Sequence, residues 1–186
     1  MKRTLALSLM FLLLTGCASV AREPDNLTLV RVLGIDGSGP VVFTAVSGKD
    51  QSGVSRGNAR GNDFKEARKN IPWSGSGTEL SVTGVSYLIL GENADLYAVL
   101  MGVMEDTDLG ASATVWTAQG SAAELLKNCD DPASDLQLLT LKGTAAPTVA
   151  QALSALTTDG GVTLPCLGEK DGRIEERGTA LWSGEN

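Results

Sequence analysis

The chain has 186 residues, enough for one ordinary domain once a leader is set aside. Its 22 acidic residues against 15 basic ones give a net charge of -7, and nucleic-acid binding, which needs a basic surface, is thereby disfavoured. Histidine is absent, which removes the usual general base of hydrolase triads and the commonest metal ligand.

Lys2 and Arg3 open the chain and an apolar run from Leu5 to Leu14 follows, the layout of a secretory signal peptide and too short to span a bilayer comfortably. Gly16 precedes Cys17 and Leu14 stands three positions upstream of it, the lipobox pattern of bacterial lipoproteins. Residues 1–16 are thus expected to be removed and Cys17 lipidated; an ordinary secretory signal ending in an incidental cysteine is the plainer alternative. Two or three acyl chains anchor stably, each buried methylene contributing about 0.8 kcal/mol. Residues 17–26 then form a tether and 27–186 one globular domain. No basic face backs up the lipid, so the lipid must hold the membrane alone.

Leu27–Leu33 and Val41–Val46 are rich in β-branched and aliphatic residues and predict two strands, with Asp36-Gly37 as the hairpin turn between them. Gly48–Asn62 has no apolar periodicity and reads as a flexible loop. A short helix follows from Asp63, its cap, to Ile71, with Phe64, Ala67 and Ile71 on a core-facing side and Pro72 ending it. Leu80–Leu90 reads as one central strand. Ala94–Met104 is a helical pattern capped by Asn93, with Leu96, Val99, Leu100 and Val103 on one side. Ser112–Ala118 predicts a strand, and Ser121-Ala122-Ala123-Glu124 has capping-box spacing for a helix reaching Asn128. Asp135–Lys142 predicts a helical turn or two, and Thr148–Leu156 a firmer helix before Gly160-Gly161. Three strands end the chain, at 162–167, 173–177 and 179–182, with Lys170-Asp171-Gly172 as a turn. This alternation predicts an α/β (α+β mixed) fold, a central mixed sheet with helices packed on it and hairpins at both ends.

The chemistry-bearing residues are few. Gly34–Gly39 lacks a P-loop lysine and precedes a strand, so a hairpin turn is the better reading. Ser74 and Ser76 among glycines after Trp73 lack both the preceding strand and the histidine of a nucleophile elbow. The acids Glu105, Asp106 and Asp108, and Asp130 with Asp131, lack the spacing of a calcium loop and read as solvated. No catalytic, cofactor-binding or metal-ligating set is assigned. Cys129 and Cys166 either form one disulfide or remain two thiols; the spacing leaves both open. Trp73, Trp116 and Trp182 make an aromatic cage only if the fold gathers them.

The order of the pieces carries a resemblance. The lipobox cysteine, a strand ending in Gly34-Ile35-Asp36, a second strand, a helix, a strand ending in Leu90-Gly91-Glu92, a helix, a strand with Trp116, and a capped Ala122-Ala123-Glu124-Leu125-Leu126 helix together resemble the N-terminal domain of the spore germination receptor C-subunit lipoproteins, the Ger(x)C family. Leu164-Pro165 and Glu176–Trp182 are similar to the family's ending. The Gly-Lys-Thr-like entry to its first helix is replaced here by Asn62-Asp63-Phe64, and the family's further domains have no counterpart before Asn186.

The resemblance implies a non-enzymatic, lipid-anchored protein on the outer face of the spore inner membrane, without cofactors. Its implied partners are the membrane-spanning A- and B-type germinant-receptor subunits. Two rivals remain, a solute-binding or sensory lipoprotein unrelated to germination and an extracytoplasmic carboxylate hydrolase. A deep pocket with convergent polar groups would favour the solute binder, paired carboxylates across a cleft the hydrolase, and a shallow surface with an apolar patch the subunit.

Overall fold

A computed structural model describes residues 27–49, 53–71 and 79–183. Cys17 and Trp73–Gly77 lie outside the described residues. Among the described residues are eight strands, β1 (Leu27–Asp36), β2 (Val41–Ser47), β3 (Arg56–Gly61), β4 (Glu79–Ser81), β5 (Tyr87–Leu90), β6 (Thr114–Ala118), β7 (Gly161–Lys170) and β8 (Arg173–Ser183). Five helices accompany them, α1 (Phe64–Lys69), α2 (Leu96–Glu105), α3 (Ala122–Asn128), α4 (Pro132–Leu141) and α5 (Val149–Asp159).

The strands form one mixed sheet in the order β3-β2-β1-β5-β6-β7-β8, with β4 alongside the start of β1. β1, β5, β6 and β7 are parallel, while β2 returns antiparallel on β1, β3 on β2 and β8 on β7. The mixed α/β architecture and both terminal hairpins match the expectation. Alternation along the parallel strands feeds two cores. Leu33, Ile35, Leu88, Leu90 and Val115 face α1, α2 and α5, and Val32, Ile89, Trp116 and Ala118 face α3 and α4. Strands buried on both faces need the continuous apolar runs seen in β1 and β5. Trp116 is fully buried, and its ring N–H donates to Thr114 Oγ1 at 2.9 Å, so the largest side chain in the core leaves no polar group orphaned.

Several element boundaries depart from the sequence reading. The segment expected to be a loop contains β3, which pairs with β2 from Val46↔Arg56 to Val41↔Gly61. This is an edge strand held by its ladder, with only Ala59 and Gly61 buried, so no apolar pattern announces it. Gly61 is required there because a Cβ would fall inside the backbone of Glu66 and Ala67. The single strand expected over 80–90 is divided by a 3-10 turn at Val82–Gly84, which lets Val82 and Val85 reach the core. Asn93 does not cap α2; Ala94 N–H first closes a turn onto Gly91, and Asp95 accepts from Ala98 N–H at 2.9 Å. α4 begins earlier than expected, at Pro132, with Asp131 as its cap and proline in its first turn. The last two expected strands are one, β8, because the register shift opposite Cys166/Leu167 lets the ladder continue across Gly178. The β7–β8 turn falls where expected, with Asp171 and Gly172 both at positive φ.

Candidate functional site

The expected caps at Asp63 and Ser121 carry out that work, and Thr148, expected only as a helix start, caps its helix as well. Asp63 accepts from Glu66 N–H, Ser121 from Glu124 N–H, and Thr148 forms a full capping box with Gln151. Asp36 has a role the sequence did not suggest. It is the last residue of β1 rather than part of the turn, and its carboxylate leaves the hairpin to accept from Ala122 N–H (2.8 Å), Ala123 N–H (2.9 Å) and the Ser121 hydroxyl (3.2 Å). Gly91 packs so closely on this carboxylate that a Cβ would overlap Asp36 Oδ1. Glu92 N–H closes the junction on Gly120 C=O at 2.9 Å. Gly34-Ile35-Asp36, Leu90-Gly91-Glu92 and Ser121–Leu126 are therefore one structural junction, where β1 and β5 end and α3 begins.

The other distinctive surface is on α2. From Leu96 to Met104 this helix carries no charged residue. Leu96, Val99, Leu100 and Val103 enter the core as the 3.6-residue period requires. The remaining side chains are also apolar yet outward: Tyr97 is 51% and Met104 46% exposed, Ala98 is exposed and Met101 half-buried. A helix apolar all round belongs in an interior, so the outer half of α2 lacks the cover its composition calls for.

Beside it, α1 and α2 enclose an open groove of about 640 Å³ with a floor of Phe64, Ala98, Met101 and Gly102. Gly102 shapes that floor, because a Cβ there would lie 2.5 Å from the Phe64 ring. Phe64 in turn meets Phe43 edge-on, with centroids 5.0 Å apart. Lys65 and Lys69 line the α1 rim and Glu105 the α2 rim. Arg68 is committed to Asp106 (3.0 Å) and Asp108 (2.9 Å), while Asp106 also accepts from the backbone of Asp108 and Leu109. These acids therefore lock the α2 end to α1. An apolar floor with a charged rim suits protein contact.

A smaller hollow of about 390 Å³ lies at the other end of α2, lined by Glu92, Asp95, Tyr97 and Trp182. Trp182 is thus brought to a concave surface beside a tyrosine, whereas Trp116 is sealed in the opposite core.

The chain matches no protein-family model and no curated protein. It is similar to the crystal structure of the GerBC protein. The identity is 18% and the TM-score 0.43, with 86% of this chain and 51% of that one covered. The chain thus spans about half the length of that structure.

Cys129 and Cys166 are both free thiols in the structure. Cys129 is buried where α3 ends; burial, then the nearby Asp135 and Glu169 carboxylates, push its pKa from 9.0 up to about 12. Cys166 is half-buried in β7, and burial followed by Glu92 raises it as well. Among the described residues no group of acids and thiols is arranged to hold a metal ion, and no helix is long and apolar enough to cross a membrane.

Two further polar residues escaped the sequence reading. Asp135 is 5% exposed and accepts from Arg173 Nε and Nη2 (3.0 and 2.9 Å) and Ile174 N–H (2.9 Å), tying α4 to β8. Arg56 donates to the carbonyls of Leu126 and Cys129, closing the C-terminal end of α3 from β3. Their partners lie 38 to 73 positions away in sequence, and no local pattern signals such pairs.

Proposed function

We propose that this chain is a non-enzymatic, lipid-anchored subunit of a spore germinant receptor, held to the membrane through Cys17 and acting by contacts with membrane-spanning A- and B-type subunits. The observation that supports the reading is the Asp36 junction. The short motifs that carry the resemblance to the Ger(x)C proteins are weak one by one, yet three of them, Gly34-Ile35-Asp36, Leu90-Gly91-Glu92 and the Ala122–Leu126 helix, meet at a single point and depend on one another. The uncovered α2 face fits a protein that works by being docked against others.

Germination tests this reading. Spores lacking the protein are expected to respond poorly to nutrient germinants while still germinating with a trigger that bypasses receptors. Restoration by the wild-type chain but not by Cys17→Ala ties the role to the anchor. A normal nutrient response in the deletion strain would refute it.

A second reading, a solute-binding lipoprotein, has the hollow beside Tyr97 and Trp182 in its favour. That reading requires a small ligand to saturate the purified chain and Glu92→Gln or Tyr97→Ala to weaken it.

A further inference from the structure

We infer that the groove between α1 and α2 is a docking site for one amphipathic helix of another protein. The inference rests on the subunit reading only for the partner's identity. Three observations lead to it. The outward half of α2 that lines the groove is apolar, through Ala98, Met101 and Gly102, and Met side chains adapt to an incoming surface. Beside that half lies a concavity of about 640 Å³ between two helices, the shape into which a single helix lays its apolar stripe. The rims differ in net sign, with Lys65 and Lys69 one helical turn apart on α1, where Asp63 also lines the groove, and Glu105 opposite. A fitting helix carries acidic residues on the flank facing α1 and a basic residue on the flank facing Glu105.

The same features disfavour other occupants. A second copy presenting this face would set concavity against concavity and leave a void, which loses the contacts that make burial worthwhile. A bilayer surface is broad and cannot fill a groove, and Glu105 on its rim would face anionic headgroups.

The test places a photo-crosslinking amino acid at Ala98, exposed on the groove floor, and separately at Met101, in the full lipidated chain in cells that make it. Leu141 and Leu181, exposed at 74% and 77% on other elements, serve as controls. The expected product joins Ala98 and Met101, but not the controls, to a segment of another protein with apolar residues at helical spacing. Replacing both Lys65 and Lys69 by Glu is expected to lower its yield several-fold. Crosslinks to a second copy, to lipid or to an extended segment would overturn the inference. So would products only at the controls, no product at Ala98 and Met101, or a yield indifferent to the lysine changes. If the partner helix belongs to a protein other than a receptor subunit, the docking site stands and the germination reading falls.

Discussion

Asp36 makes the sharpest prediction among single residues, because the two oxygens of one carboxylate accept three hydrogen bonds from the start of α3. Asp36→Ala is expected to cost about 2 kcal/mol, the loss of a helix cap together with unpaired backbone N–H groups. Asp36→Asn keeps one oxygen and should lose less. Urea unfolding of the two variants measures both, and a loss below about 0.5 kcal/mol for Ala would remove the junction from the account. The thiols give a second prediction. Since burial lifts Cys129 from 9.0 to about 12, the unfolded chain ionises this group first as pH rises. Its contribution to stability is full below pH 9 and is lost between about 9 and 12. At pH 8 a thiol reagent should label half-buried Cys166 slowly and Cys129 only after unfolding, whereas a disulfide would leave both unlabelled. The caps at Asp63 and Ser121 were legible because a cap and its helix are adjacent in sequence, whereas Asn93 was read in place of Asp95 two positions on. Asp36, Arg56 and Asp135 were not, because their partners come from distant elements.

Among the elements, legibility followed the strength of the apolar period. β1, β2, β6, α2 and α5 carry clear patterns and lie where the pattern put them, within a few residues. β3 does not, since Arg56–Gly61 is held by backbone pairing with β2 and by the packing of Gly61 against α1. The outward apolar face of α2 was present in the sequence but could be read as a site only once the other face was seen to be full. Gly102 turns this into a test with an unusual sign. Glycine to alanine inside a helix normally gains about 1 kcal/mol. Here the added Cβ meets the Phe64 ring at 2.5 Å, and displacing that ring also disturbs Phe43. Gly102→Ala is therefore expected to destabilise, overpacking costing about 1–3 kcal/mol. A stabilised variant would show that α1 does not rest on α2 as described.

At the scale of the molecule, one mixed sheet is covered by α1, α2 and α5 on one face and by α3 and α4 on the other. The Asp36 junction fixes its strand ends, and α2 carries more apolar residues than the core takes in, leaving Tyr97 and Met104 outward. The fold class was legible because strands buried on both sides must read as continuous apolar runs. Partners were not, because a surface that awaits another protein differs from a core only in what covers it. The measurement that bears most directly on the subunit reading is purification of the natively lipidated protein from sporulating cells in mild detergent, with identification of what accompanies it. Co-purification of polytopic membrane subunits of the germinant-receptor type, in a fixed ratio, is the predicted result. Recovery of the protein alone from spores, with those subunits present in the same membranes, would contradict it.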